Sequence, residues 1–331
     1  MKIHHHGIAL STVAMLLPVT LGSCSDDFDR PEMASPEGLG FEFSAVIEQD
    51  NSSRADESGF ADGDRFGAYV VNYSGGQPGQ LALTGNQVNN VAIGYTADDN
   101  LWTPSTPIYW LDDKTPADVY AYYPFTNGLS DVEAHRFEVS ADQSIAGSDG
   151  DMGTYEASDF LWAKASRVTP GTRINLSFSH RLAGVKVILE QGSGFAEGEW
   201  EKLPRTVTVD NTVRTAYIDI STGTASVNGS FDRHVTMNPD ATDSYRAVVV
   251  PQSVAAGKST IGITIDGTAY NYTRSDGMTY TAGKLHVFTL KVDKQEQSGD
   301  YSLSLVSEDI TPWETDNSSH DFEANSYLVV D

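Results

Sequence analysis

The only thiol of this 331-residue chain belongs to Cys24, and its position limits the chemistry that it can perform. Cys24 follows an apolar stretch from Ile8 to Leu21 and stands directly after the small residues Gly22 and Ser23. Together with the basic Lys2, this arrangement is typical of a cleavable secretory signal. The apolar stretch itself is too short to span a bilayer. A single cysteine forms no internal disulfide, so the fold must depend on an apolar core.

The run Leu21-Gly22-Ser23-Cys24 resembles the recognition box of bacterial lipoprotein signals. The resemblance implies that residues 1–23 are removed, that the Cys24 thiol is acylated, and that lipid anchors the mature chain to a membrane. Ser25 to Phe28 resembles the acidic export tag of surface-exposed lipoproteins in Bacteroidota. The competing interpretation is an ordinary secreted protein with an odd cysteine. His4 to His6 lie within the removed peptide, and we assign them no ligand role.

Sequence motifs for catalysis are missing. The chain has no Gly-x-Ser-x-Gly elbow, no His-Glu-x-x-His helix, no phosphate-binding loop and no Gly-rich dinucleotide turn. A lipidated Cys24 could not act as a nucleophile. Paired carboxylates for glycosidic cleavage stay open among the 46 acidic residues, because such pairing is spatial. We predict that the protein is not an enzyme and needs no cofactor.

Candidate metal ligands are few. His180 has no second histidine, cysteine or acid at ligand spacing, so packing in the core or in a turn is favoured over metal binding. Asp62-Gly63-Asp64 and Asp149-Gly150-Asp151 lack the ladder of oxygen ligands and the closing glutamate of a calcium loop, and we predict turns. The sequence therefore predicts no metal site.

The net charge of the chain restricts the classes of molecule that it could bind. The formal net charge is −25, with 46 acidic and 21 basic side chains. Repulsion between like charges makes nucleic acid and anionic membrane faces poor partners, apart from attachment through the lipid anchor. The acidity favours solubility outside the cell and indicates no substrate.

Apolar residues alternate at the period of strands, which predicts an all-β protein of antiparallel sandwiches. Ile174, Leu176 and Phe178 alternate with polar residues, and Ile261 to Ile265 runs into the hairpin dipeptide Asp266-Gly267 before Thr268 to Tyr272 returns. No apolar stripe at helical spacing is long enough for a structural helix. Further strands are predicted at 41–48, 65–73, 119–123, 135–140, 185–190, 206–209, 217–220, 245–250 and 285–292.

The length and the loops predict two domains. After a signal peptide at 1–23 and an acidic tether at 24–38, the two strand-rich halves at 39–167 and 171–314 are divided by the loop 168–172 around Pro170-Gly171. Residues 315–331 form a C-terminal tail with a strand-like end.

The order of motifs along the chain resembles the fimbrillin family (Mfa-like) of Bacteroidota. The resemblance covers most of the chain. It is carried by Ser53-Arg54-Ala55, Phe60 to Tyr69, Tyr109-Trp110, Tyr120 to Pro124, Asp159 to Ala163, Phe178 to Ala183, Val249 to Gln252, Tyr280 to Lys284 and Ile310 to Trp313.

Membership of that family implies two tandem β-sandwich domains of transthyretin-like, Greek-key type in a fimbrial (pilus) subunit at the surface of the outer membrane. In polymerising relatives an arginine-specific protease removes the leader and first strand, and a neighbouring subunit fills the groove. The matching bond here is Arg54-Ala55, with a solvated loop arginine as the competing interpretation. Partners are then other fimbrial subunits and the membrane, with a host protein or glycan as adhesion ligand.

A second function from another class stays open at this stage. A surface lipoprotein could display a sandwich that binds glycan or protein without polymerising, or act as a fimbrial anchor or tip. Clustered exposed aromatic residues on one sheet face would favour glycan binding. We instead predict that the motif aromatics fill the core and its rim: Tyr109, Trp110, Tyr120, Tyr122 and Tyr123.

The C-terminal run from Ala324 to Val330 is apolar and β-prone, and follows a polar stretch at 314–319. Three accounts compete: the run pairs within the second domain, serves as donor strand for a neighbour, or opens a further domain. We favour a donor or docking strand, with Tyr327, Leu328, Val329 and Val330 as its residues.

Overall fold

The computed structural model describes residues 38–48, 59–148, 152–229 and 234–313, and its strands follow the alternating segments of the sequence. The strands of the first half are β1 Phe43–Ile47, β2 Arg65–Ser74, β3 Gln77–Pro78, β4 Val88–Thr96, β5 Leu101–Pro104, β6 Ala117–Tyr123, β7 His135–Glu138, β8 Leu161–Val168 and β9 Ile174–His180. The second half contributes β10 Ala183–Gln191, β11 Arg205–Asp210, β12 Thr215–Asp219, β13 Thr224–Val227, β14 His234–Thr236, β15 Asn238–Ala241, β16 Ser244–Val249, β17 Gln252–Val254, β18 Ser259–Ile265, β19 Thr268–Thr273, β20 Met278–Tyr280, β21 Lys284–Lys294 and β22 Tyr301–Pro312.

The all-β prediction is confirmed over this part of the chain, where the only helical elements are 3₁₀ turns at Glu156–Ser158 and Trp200–Lys202. Among the residues described, no helix is long and apolar enough to cross a membrane.

Seven strands of the first half close into a ring. Their order is β2-β4-β5-β1-β9-β8-β6, and β6 pairs back onto β2, with β3 as a short branch. Closing a sheet on itself removes the unpaired edges that an open sheet leaves exposed. The side chains that point inward form one apolar core, drawn entirely from residues 41–178.

Strands β2 and β6 are buried on both faces, which explains why β6 has no exposed residue. Successive side chains of a strand point to opposite faces. Val119 and Ala121 therefore belong to the ring core, whereas Tyr120 and Tyr122 belong to a second core built mainly from residues 182–313.

The remaining strands form smaller sheets around that second core. A five-stranded sheet has the order β15-β16-β10-β21-β22, and a four-stranded sheet has the order β14-β11-β18-β19. A three-stranded sheet, β13-β12-β7, includes one strand of the first half, since β7 pairs with β12. A two-stranded sheet joins β17 to β20.

The predicted boundary loop 168–172 is the hairpin between β8 and β9, where Thr172 N–H donates to the Thr169 carbonyl at 3.2 Å. Both strands of this hairpin belong to the ring, and the chain passes from the ring to the five-stranded sheet between His180 and Ala183. The division into two domains stays a prediction.

Two pairings depart from the predicted antiparallel order. β1 runs parallel to β9, and β10 runs parallel to β21. Parallel neighbours need long connections, and alternation within one strand carries no information about its distant partner. The Asp266-Gly267 hairpin is confirmed, because β18 and β19 pair antiparallel and both turn residues have positive φ, 45° and 78°.

Candidate functional site

The first strand occupies a groove of the ring between β5 and β9. β1 pairs with β9 from Phe43↔Ile174 to Ile47↔Phe178, but meets β5 only at Phe43↔Trp102. Its alternation places Phe43, Ala45 and Ile47 in the ring core, whereas Val46 faces outward. The strand therefore buries its apolar face in the ring core, but along most of its length it pairs only with β9.

Aromatic side chains line this groove. The Phe43 ring meets the Phe66 ring edge-on at 5.9 Å, and the Phe66 and Trp102 ring centroids lie 4.8 Å apart. Phe41 stacks on Trp110 at 4.4 Å. Burying a large apolar side chain stabilises a fold by roughly 1.5–3 kcal/mol. Burial of Phe41 and Phe43 therefore stabilises this part of the ring.

Residues before β1 extend the same segment along the loop that contains Tyr109. Phe41 N–H donates to the Ile108 carbonyl at 3.3 Å, and Trp110 N–H donates to the Leu39 carbonyl at 2.9 Å. Gly40 forms an antiparallel bridge with Tyr109. The whole segment 39–48, rather than β1 alone, is the unit held by the ring.

A cleft of about 590 Å³ lies at the end of the groove where β1 leaves the ring. Glu48 N–H donates to the Phe178 carbonyl at 2.7 Å, directly after β1. Ile47 lines the cleft together with Gly59 and Trp313. Ile47, Gly59 and Trp313 therefore lie around one cleft at the end of the groove.

A histidine and its carboxylate partner form one wall of the cleft. His180 Nδ1 lies 2.9 Å from Asp159 Oδ2, and the His180 ring stacks on Trp313 with centroids 4.1 Å apart. His180 is buried. Its ring therefore packs in the wall of the cleft. Within the described ranges, no group of three or more His, Cys, Asp or Glu residues could hold a metal ion.

The predicted turn Asp62-Gly63-Asp64 also lines the cleft. Gly63 has φ +84°, and Asp64 N–H closes the turn on the Ala61 carbonyl at 3.1 Å. Asp64 accepts hydrogen bonds from Ala61 N–H at 2.7 Å and from the Tyr123 hydroxyl at 2.9 Å. Burial raises the pKa of Asp64 against the lowering effect of these donors, and burial also raises the pKa of Tyr123.

The charged residues that line the cleft include the Asp159–His180 pair and Arg246. A catalytic Asp-His pair activates a nearby hydroxyl or thiol. The described residues that line the cleft include no Ser, Thr, Cys or Lys. Arg246, which also lines it, lies over the Tyr155 ring at 4.1 Å and near Glu156 Oε1 at 3.5 Å. The arrangement is suited to holding chain segments together at the junction of two sheets.

The structure does not test the predicted lipidation, processing and donor-strand residues. Cys24, Arg54, Ala55 and the run Tyr327, Leu328, Val329 and Val330 lie outside the described residues, as does Asp149-Gly150-Asp151. Of the motif aromatics, Trp110, Tyr120, Tyr122 and Tyr123 are buried as predicted, while Tyr109 is exposed at the rim.

Sequence reasoning missed the partner of His180 and several strands. Asp159 precedes His180 by 21 residues, a spacing without a recognisable signal. Ten described strands were not predicted: β3, β4, β5, β8, β13, β14, β15, β17, β20 and β22. Trp102 of β5 was a usable signal, because a buried tryptophan commonly marks a core position.

Comparison with known proteins settles the family. A sequence model described as fimbrillin-like matches residues 53–313. The chain belongs to the fimbrillin-like family. A curated relative, "Putative fimbrium subunit Fim1C" of Bacteroides uniformis, is 22% identical over 308 residues, which cover 90% of this chain and 94% of that protein.

Two solved structures share the fold of this fimbrillin-like chain. A crystal structure described as a "putative cell adhesion protein" from Bacteroides uniformis matches with a TM-score of 0.60 at 17% identity, over 84% of this chain and 99% of the other. A similarly described protein from Bacteroides ovatus matches with a TM-score of 0.56 at 14% identity, over 83% and 96%. At these identities the likeness establishes the fold alone.

Proposed function

We propose that this fimbrillin-like protein is a structural and adhesive subunit of a cell-surface fimbria. It is exported as a lipoprotein acylated at Cys24, lies at the surface of the outer membrane, and assembles with other subunits by donor-strand exchange after proteolysis. It acts without a catalytic step. The two apolar cores are consistent with the two tandem transthyretin-like sandwiches that this proposal assumes.

The observation that carries the proposal is the position of the first segment in the ring. Residues 39–48 are inserted between β5 and β9, and the chain from position 49 to 58 connects them to the rest of the molecule. Arg54-Ala55 lies within that connection. Cleavage there would leave the segment held only by noncovalent contacts.

Loss of the segment would open the ring and create an acceptor site. The β9 backbone from Ile174 to Phe178 would lose its parallel partner, and the pockets of Phe43, Ala45 and Ile47 would be empty. A strand that fills such a gap gains affinity from main-chain hydrogen bonds and specificity from alternate side chains. The run from Tyr327 to Val330 of a neighbouring subunit is the donor that we propose.

The test uses an arginine-specific protease on the full chain without its signal peptide. We expect cleavage after Arg54, release of the first segment and growth of oligomers. Native mass analysis measures the size of the products. Arg54→Lys is the matched control, because it keeps the charge but removes the arginine-specific bond. This variant should stay monomeric with the arginine-specific protease. Persistent monomer after complete cleavage of the wild-type chain and departure of the segment would contradict polymerisation and indicate an anchor, tip or display role.

Glycan display is less well supported by the described surface. The exposed large aromatics among the described residues are Tyr109 and Tyr217. Tyr109 lies in the loop beside the first segment, whereas Tyr217 belongs to the three-stranded sheet. Sugar binding by stacking favours clustered aromatic faces, so this distribution does not favour a glycan platform.

A further inference from the structure

The C-terminal tail begins at a fixed point beside the ring. Trp313 is buried, stacks on His180 at the end of β9, and donates its N–H to the Gly283 carbonyl at 3.0 Å. A Cβ on Gly184 would lie 3.0 Å from the Trp313 ring, so the indole packs directly on the β10 backbone. The start of the tail is therefore held by contacts to both β9 and β10.

The same point lies where β1 leaves its groove. Ile47, the last residue of β1, lines the cleft with Trp313 and His180. Glu48 N–H donates to the carbonyl of Phe178, two residues before His180 on β9. A chain that continues from Trp313 thus starts at the Ile47 end of the groove.

We propose that, once the first segment is removed, the subunit's own run at 324–330 fills the vacated groove and forms a self-capped monomer. This inference rests on the proposed function, because it requires release of residues 39–48. It assigns the groove an intramolecular occupant that competes with the neighbour's strand. Self-capped subunits would remain unpolymerised at low concentration and exchange into fibres when subunits are concentrated.

The length of the tail allows this closure. Residues 314–323 can extend over about 33–36 Å, at 3.3–3.6 Å per residue. β1 spans five residues, roughly 17 Å of strand. The connection can therefore place the run along the groove with slack to spare. A tethered segment has an effective concentration on the order of millimolar, which favours closure over capture of a dilute neighbour.

The direction of the tail distinguishes this closure from a simple replacement of β1. β1 runs from Phe43 to Ile47, parallel to β9. The shortest path for a tail that starts at the Ile47 end runs the opposite way, and is therefore antiparallel to β9 and parallel to β5. Antiparallel pairing is slightly more stable per residue than parallel pairing, and β9 offers five paired positions where β5 offers one, which favours this direction for the tail.

Disulfide trapping in the full chain tests the proposal. Cys24→Ser removes the only native cysteine, and a site-specific protease sequence replaces residues 50–54 so that release does not depend on Arg54. Single cysteines are then placed at Ser177 or Asn175, both exposed on β9, and in turn at each tail position from 325 to 330. Trapping is followed before and after cleavage, at two protein concentrations tenfold apart.

We expect an intramolecular disulfide that forms only after cleavage, in a monomer, with a rate unchanged by dilution. In the antiparallel order, the best partner of Ser177→Cys precedes the best partner of Asn175→Cys in the tail. The reverse order, or trapping before cleavage, would overturn the inference. Intermolecular disulfides whose initial rate falls about tenfold per subunit on dilution would overturn it too, while leaving strand exchange between subunits intact. If the first segment departs and no pair is trapped, or the segment stays bound, groove filling by the tail fails altogether.

Discussion

The described part of the chain contains two parallel strand pairs with very different surroundings. β1 pairs with β9 over residues 43–47 and meets β5 at one position, whereas β10 pairs with β21 over residues 184–191 and with β16 over residues 183–188. β21 is covered in turn by β22. The comparison shows that β1 is paired along most of its length on one side only, whereas β10 is paired on both sides, although both strands bury apolar side chains. The proposed exchange of β1 would use this difference.

The pair formed by β10 and β21 should stabilise the protein both before and after release of the first segment. Phe288 of β21 is fully buried in the second core. We expect Phe288→Ala to lower the free energy of unfolding by about 3–5 kcal/mol, because it removes a large apolar side chain and leaves a cavity. The loss should be the same before and after release of the first segment, as measured by urea denaturation. A loss that disappears on cleavage would contradict the assignment of this strand to the permanent core.

Strand β1, which we propose is exchanged, should affect the free energy of unfolding only while the first segment is present. Phe43→Ala removes a ring that packs on Phe66, and we expect it to destabilise the intact chain by about 3 kcal/mol. After the first segment has been released, the variant and wild-type chains are identical over the retained residues, so their denaturation curves should coincide. Phe288→Ala is the control for the same measurement. A persistent difference would mean that the segment stays bound after cleavage.

Acid should weaken the fixed region through a buried histidine. His286 of β21 is fully buried, its Nε2 accepts the Thr281 N–H at 3.0 Å, and burial lowers its pKa from 6.5 to about 4. Between these values the unfolded chain binds the proton and the folded chain does not. Stability from this residue is therefore present above pH 6.5 and is lost as the pH falls towards 4.

We expect His286 to account for about 2 kcal/mol of lost stability between pH 7 and pH 5, from the difference in proton binding. His286→Gln keeps a side-chain acceptor without this titration, and its denaturation profile should be flatter by that amount over the same range. Equal slopes in the two proteins would show that other groups control the acid response.

The sequence predicted the strands far better than their neighbours. Ile174, Leu176 and Phe178 alternate in the sequence and are buried in the structure, because alternation reports directly on one strand's two faces. The parallel pairing of Phe43 with Ile174 joins residues far apart in the chain, and nothing local encodes it. β6 is buried on both faces, so the residue pattern of this strand could not show that Tyr120 and Tyr122 enter the second core.

The candidate site was predictable only in part. The first strand was predicted from the pattern of residues 41–48, and the turn at Asp62-Gly63-Asp64 from its composition. Cleavage at Arg54-Ala55 stays a prediction. The meeting of Ile47, His180 and Trp313 at one cleft depends on closure of the ring and on the path of the last strand. β22 was missed because its run mixes exposed apolar and acidic residues without a clear period.

The smallest expected effect separates backbone strain from contact with the first segment. Gly171, in the hairpin between β8 and β9, has φ +80°, and an added Cβ would lie 3.2 Å from Leu39. Gly171→Ala should cost about 1 kcal/mol in the intact chain, because a side chain is disfavoured at positive φ and Leu39 must also shift. Release of the first segment removes Leu39 but not the strain, so most of that cost should remain. Gly171→Asn is the matched control, since asparagine tolerates this conformation better while still adding a Cβ. Thermal denaturation of the three proteins before and after cleavage measures the difference, and a cost for Gly171→Ala that vanishes on cleavage would assign the effect to Leu39 alone.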